Sequence, residues 1–304
     1  MVHMLAESVR SFAGGFSDAK IVASVGDDVE PFDIEHARPE LKPYGIHWRW
    51  TDREQFRQHS YFATGLDRWA APFESEFVLM ADADILVVSR LDELTQYLPT
   101  PRSVAGVIAT KPPFTARGKG DDETRWPALY RAAGLDPPTF DFEIPGHGTH
   151  YPISGISKAP AYYNFGFVIG RREAMNAIRE TFEADYFAAK DFMQNILAAQ
   201  AGLGLSIARN HLDAAALPLR YNFWSQDKYL ANFPQEAANL KVLHYLTGPF
   251  GKHSDNDSIA DVEHWVASRS NSSNQVERLL VNAFGKVLAK IDARTQRQGV
   301  ALNG

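Results

Sequence analysis

Asp82-Ala83-Asp84 interrupts an otherwise apolar stretch, with Phe77-Val78-Leu79-Met80 before it and Ile85-Leu86-Val87-Val88 after it. Two carboxylates separated by one residue can face a single cleft, whether the chain turns at the end of a strand or keeps its β alternation. Such a pair can hold a divalent cation through oxygen, and that cation can bridge the two phosphates of a nucleoside diphosphate leaving group. An Asp-x-Asp string arises by chance in chains of this length, so the reading rests on its placement. Inside a core segment an unpaired charge costs on the order of several kcal/mol, a cost that a bound cation removes.

Other residues could serve the same cleft, and each has a plain structural alternative. His244 closes the apolar run Leu240 to Leu243 and is either a third metal ligand or a packed strand-end residue. Arg68 lies on a helix before the Asp-x-Asp strand, as a bidentate phosphate contact or an ordinary solvated arginine. In Tyr163-Asn164-Phe165-Gly166-Phe167, Asn164 could bind sugar hydroxyls and Gly166 could let a sugar approach the backbone, or both could form a turn into a strand. The loop Gly146-His147-Gly148-Thr149-His150 gives its histidines no fixed metal geometry, so His147 reads as a lid or acceptor contact. Trp224, in Asn222-Phe223-Trp224, is a sugar-stacking candidate or a core tryptophan.

The elements that must carry these residues follow from periodicity. Leu5 to Phe12 reads as a helix closed by Gly14-Gly15, Lys20 to Val25 and Ile46 to Trp50 as strands, and Phe56 to Ala71 as a helix. Phe77 to Met80 is a buried-type strand, and a helix is expected over Leu91 to Tyr97. Residues 111–161 are rich in Pro and Gly and form a lid or acceptor insert with a short helix around Trp126 to Ala133. A strand is expected at Phe165 to Ile169, helices at Arg172 to Phe182 and Phe187 to Ala201, and strands at Ala214 to Leu219 and Leu240 to Tyr245. The Ser/Asn-rich stretch Ser268 to Asn274 reads as a linker to an amphipathic helix over Gln275 to Ile291. An open α/β sheet normally begins with a strand, and here a helix comes first.

Composition narrows the chemistry. With 31 basic and 37 acidic residues, net −6, the chain has no broad electrostatic grip for nucleic acid or anionic lipid. It has no cysteine, which excludes disulfides, thiolate metal sites and cysteine nucleophiles. No apolar stretch approaches the roughly 20 residues of a membrane span, and no secretory leader is recognised, so a cytoplasmic protein is expected.

The segment Phe77 to Leu94, FVLMADADILVVSRLDEL, resembles the metal-binding segment of GT-A glycosyltransferases, especially the family-8-like group. Tyr163 to Phe167 is similar to that group's Asn-x-Gly step, FMQNIL at Phe192 to Leu197 falls where the group has Asp-Gln-Asp, and His244 lies where its third metal ligand does. Of Asp-Gln-Asp only Gln194 is kept, and Gly248 and Lys252 follow His244 at four and eight residues. The resemblance implies a GT-A α/β/α sandwich with a mixed, mostly parallel sheet, a C-terminal helix and a missing first strand. Residues 1–266 would form the transferase domain and 267–304 the linker and helix. It also implies transfer of a hexose from a UDP-sugar, with retention, to a glycan, lipid-linked or small-molecule acceptor. Mn²⁺ or Mg²⁺ would be held by Asp82, Asp84 and His244, with Arg68, Ala83 and Lys252 on the nucleotide and Gln194 near the reacting face. Two rivals remain at this level. A HAD-type phosphatase also places Asp-x-Asp after a strand, although its pattern wants Thr or Val at Leu86; a non-catalytic nucleotide-sugar binder is the other.

Overall fold

The computed structural model describes residues 1–60, 62–115, 120–146, 156–245 and 258–302, so the expectations for His147 and Lys252 fall outside the described residues. Helix α1 (Val2–Phe12) comes first, and Arg10 in its last turn donates to the carbonyls of Ser17, Ala19 and Tyr44, fixing the path into β1 (Ile21–Val25). After the single-turn helix α2 (Ile34–Ala37), β2 (Ile46–Trp50) pairs with β1 in parallel. The helix expected over Phe56 to Ala71 is two helices. Helix α3 (Arg53–His59), capped by Asp52, ends where Ser60 adopts φ 54°, outside the right-handed helical region, and α4 (Phe62–Asp67) follows.

The strands β3 (Phe77–Ala81) and β4 (Ile85–Val87) flank the Asp-x-Asp step. Strand β5 (Ser103–Ile108) comes next, then α5 (Asp122–Ala132), a short antiparallel pair of β6 (Phe142–Glu143) and β7 (Lys158–Ala159), and β8 (Tyr163–Arg171). Helices α6 (Arg172–Met193) and α7 (Ala198–Arg209) lead to β9 (Asp213–Ala216) and β10 (Phe223–Trp224). The described chain continues through α8 (Asp227–Asn232), α9 (Pro234–Ala238), β11 (Val242–His244), α10 (Ile259–Ser268) and α11 (Gln275–Leu302).

The sheets are mixed. In the order β3-β8-β5-β9, β8 is antiparallel to both neighbours while β9 is parallel to β5; in β10-β11-β4, β10 and β11 are parallel and β4 is antiparallel to β11. Strands β1 and β3 each have a strand partner along one edge only among the described residues. Period-two alternation sends Val104 and Val168 to one core, with Met175 and Ile178 of α6 and Leu203 and Leu205 of α7. Ala105, Val107, Phe167 and Ile169 face the other way, against Ile85, Val87, Leu94 and Leu217. Gly106 has no side chain because the ring of Tyr163 crosses there: a Cβ would lie 2.6 Å from it.

Helix α6 runs unbroken through Ala184 and Asp185. Asp185 is buried and accepts from Ser206 and Arg209 of α7, so its charge joins two helices instead of ending one. A second buried carboxylate ties the last helix to the first. Glu7 of α1 accepts from Arg294 of α11 at 2.8 and 3.2 Å, from the Tyr44 hydroxyl at 2.8 Å and from Ser11. Around them Met4, Leu86, Leu243, Leu280 and Phe284 make a continuous core. Burial alone would raise the Glu7 carboxyl pKa, but hydrogen bonds from Arg294, Ser11 and Tyr44 and the Arg294 charge bring it below the ordinary value. Arg294→Met is therefore expected to destabilise the fold by on the order of 3 kcal/mol near neutral pH, because it leaves a buried carboxylate without its cation. A depressed folded-state pKa contributes stability above the unfolded carboxylate pKa and loses it as pH falls, so the deficit should shrink in acid. Urea unfolding at pH 7 and pH 4 measures both; a deficit independent of pH would count against this account.

Candidate metal and donor site

The Asp-x-Asp step is where the chain leaves one sheet for another. Ala81 is still opposite Phe167 in the β3–β8 pairing, and the Asp82 N–H donates to the Gly166 carbonyl at 3.0 Å. By Ile85 the chain is opposite His244 in the β4–β11 pairing, and the Tyr245 N–H donates to the Asp84 carbonyl at 3.0 Å. Asp82 thus hangs from the larger sheet and Asp84 from the smaller. Because β3 and β5 are both antiparallel to β8, their C-terminal ends lie on the same side, the usual place for ligands in open α/β sheets.

Asp82, Asp84 and His244 each offer one ligand atom, and these atoms lie within 4.8 Å of one another. His244 Nε2 is 3.2 Å from Asp84 Oδ2, while its Nδ1 is 2.9 Å from Oδ1 of the buried Asn222. A carboxylate and an imidazole nitrogen this close need a positive centre between them, either a proton or a cation, so the chemistry of this donor set fits a divalent metal. Burial would raise the Asp84 carboxyl pKa, but hydrogen bonding and charge from His244, backbone hydrogen bonding and the charge of Arg68 outweigh it, and the group titrates below the ordinary carboxylate value. Asp84 is therefore anionic, and able to ligate, throughout the neutral range.

Arg68, just past α4, donates to Asp82 Oδ1 at 2.9 Å and sits 5.7 Å from the Phe165 ring centre. Its Nη1 is buried without a hydrogen-bond partner among the described residues. Asn164 and Gly166 lie within β8: the Asn164 side chain accepts from the Gly166 N–H at 3.0 Å, and a Cβ on Gly166 would be 2.7 Å from Asp82 Oδ2. The glycine leaves room for the carboxylate. The carbonyl of Ala83 accepts from the Tyr245 hydroxyl at 3.2 Å.

Trp224 stands beside the cluster, its ring edge-on to His244 at 6.1 Å and stacked on Tyr229 at 5.3 Å. Lys111 Nζ lies 5.3 Å from the Trp224 ring centre. Sequence reasoning passed over Lys111 and Asn222, although Lys111 follows an apolar run as Asp82 does. Gln194 ends a helix. It caps α6 in a left-handed conformation, φ 51° and ψ 42°, which is uncommon for a residue with a side chain. There it lines a cavity of about 630 Å³ with Phe62, Tyr186, Lys190, Asp191 and Ile196.

None of the proteins of curated function matches the chain. Solved structures similar to it include the galactosyltransferase LgtC in complex with donor and acceptor sugar analogues, at 16% identity and TM-score 0.48 over 95% of this chain and 91% of that one. An active-site mutant of LgtC is similar at 17% identity and TM-score 0.49, covering 92% and 96%. The glycosyltransferase GlyE of Streptococcus pneumoniae is similar at 14% and 0.44, covering 94% and 61%. No helix among the described residues is long and apolar enough to cross a membrane. The model of the Rhodobacterales glycosyltransferase domain matches residues 1–222, a span that takes in both carboxylates of the cluster, Arg68, Gln194 and Asn222, and the chain belongs to that family.

Proposed function

We propose that the protein is a metal-dependent transferase of the GT-A type that moves a hexose from a nucleoside-diphosphate sugar, a UDP-hexose, to an acceptor. The observation that carries this reading is the convergence of Asp82, Asp84 and His244, from two sheets, on one point at the C-terminal ends of β3 and β11. When bound there, Mn²⁺ or Mg²⁺ would supply positive charge to the diphosphate oxygens as the sugar departs. Sugar transfer has an oxocarbenium-like transition state, so negative charge builds on the leaving oxygens and must be offset. Asp82, Asp84 and His244 fix the cation's position. Arg68 holds Asp82 in place through Oδ1 and presents a guanidinium to the same cleft. Lys111 adds a cation on the Trp224 side, and Lys252 is assigned to the diphosphate as the lysine that follows His244 and Gly248, eight residues after the histidine where the family pattern has six.

The hexose would lie between Asn164, whose amide NH₂ can donate to a sugar hydroxyl, and Trp224, with Gly166 giving the Asp82 carboxylate beside it the room to hold its position. Gln194 is assigned to the reacting face, its unusual conformation being the kind of local strain that functional positions retain. Retention of anomeric configuration, a lid role for His147 and a glycan, lipid-linked or small-molecule acceptor complete the reading.

Thermal unfolding with UDP-, GDP- and dTDP-sugars, each with and without Mn²⁺, tests it. A ligand at 100 times its Kd adds about 2.7 kcal/mol to the folded state, so a UDP-sugar with Mn²⁺ should raise Tm by several degrees, and more than the same sugar without metal. Stabilisation that ignores the metal would remove the metal-dependent mechanism.

A further inference from the structure

Asn222 is 1% exposed and stands immediately before β10, whose parallel pairing with β11 puts Trp224 opposite His244. Its Oδ1 faces His244 Nδ1 at 2.9 Å, and its Nδ2 is buried with no hydrogen-bond partner among the described residues. We propose that Asn222 is a positioning residue that selects the tautomer of His244 and thereby makes Nε2 a metal ligand. This inference rests on the three-ligand reading of the site.

A neutral imidazole carries one proton, and the partner of one nitrogen decides which nitrogen holds it. With Oδ1 presented, Nδ1 must be the donor. In the neutral, metal-binding form the Nε2 lone pair is then aimed at Asp84 Oδ2 3.2 Å away, where a cation takes the place of the proton that otherwise bridges the two. If the amide were turned over, Nδ2 would donate to Nδ1 and move the proton to Nε2, where it would occupy the position the metal needs. The orientation that favours metal leaves a buried N–H₂ unpaired among the described residues, a cost that the Nδ1–H contact to Oδ1 must offset. The groups around the imidazole are Asp84 from the Asp-x-Asp turn, Asn222, the edge of Trp224 and, across the turn, the Asp82–Arg68 pair.

Mn²⁺ binding to the full chain, followed by the loss of the free-ion electron paramagnetic resonance signal with no donor present, tests this without recourse to turnover. Asn222→Leu should weaken Mn²⁺ binding about 10- to 100-fold, the usual scale for losing the hydrogen-bond partner of a ligating histidine. Asn222→Asp, an acceptor that cannot turn a donor towards Nδ1, should bind Mn²⁺ at least as tightly as the wild type. In a His244→Ala background neither change should alter Mn²⁺ affinity further. If Asn222→Leu does not give folded protein, Asn222→Ser carries the same expectation, since its hydroxyl is too short to reach Nδ1. Wild-type affinity in Asn222→Leu, or equal weakening in Asn222→Leu and Asn222→Asp, would overturn the tautomer role while leaving His244 as a ligand. Unchanged affinity in His244→Ala alone would instead overturn the three-ligand site, and the inference with it.

Discussion

Replacing any one of Asp82, Asp84 or His244 is expected to lower sugar transfer by at least about 100-fold, the scale on which losing one charge-stabilising group at a reacting centre is felt. The combination Asp84→Asn with His244→Ala should be scarcely worse than the more damaging single change. Groups that serve one cation fail together, so their defects do not multiply. The geometry behind this is the 4.8 Å cluster and the direct approach of His244 to Asp84. Rates for the three single variants and the double variant, each with an Mn²⁺ titration, decide the matter. Independent defects that multiply would argue against a shared metal.

The plainer alternative makes its own forecast. His244 is 6% exposed, within β11, so it could be no more than a packed strand-end residue. In that case His244→Ala would lower Tm and leave the Mn²⁺ dependence of the remaining activity as it was. If instead the three side chains share a cation, His244→Ala shifts the Mn²⁺ titration by more than its loss of stability can account for.

Much of this was legible in the sequence because the signals are local. β2 appears where the alternation of Ile46 to Trp50 put it, and the Asp-x-Asp step falls between two strands as its apolar flanks required. Strand β5 was not expected because Ser103 to Ile108 has small residues and a glycine at its centre. The reason for Gly106 is the Tyr163 ring from a strand more than fifty residues later. The break expected near Asp185 does not occur, because the partners that make a buried aspartate tolerable, Ser206 and Arg209, lie on the next helix. The end of α6 falls at Gln194, where the backbone turns left-handed without the glycine that usually announces it. At the site, the carboxylates could be read from their flanks and His244 from its order along the chain. Asn222 could not, since its meaning depends on a 2.9 Å contact across two strands.

Gly166→Ala gives the other large effect, and it separates function from stability. The backbone at Gly166 is not left-handed, so alanine adds no conformational strain, but its Cβ would stand 2.7 Å from Asp82 Oδ2 and 3.2 Å from Asn164 Oδ1. The Asp82 carboxylate is the end of a side chain and can swing aside, which keeps the fold close to its wild-type stability. Swinging aside also carries a proposed ligand oxygen out of place and strains the Arg68 contact at Oδ1. Displacements of about 1 Å at a reacting centre can cost on the order of 100-fold in rate, so transfer should fall by that much and Mn²⁺ should bind more weakly, while Tm moves little. Gly65→Ala is the matched control: it is on α4, and its Cβ would make an ordinary 3.7 Å contact with Phe165. Helix propensity favours alanine there by up to about 1 kcal/mol, so Gly65→Ala should leave Mn²⁺ binding unchanged and hold or raise Tm. A Gly166→Ala protein that binds Mn²⁺ and transfers sugar as well as the Gly65→Ala control would show that Asp82 Oδ2 is not where the cation is held.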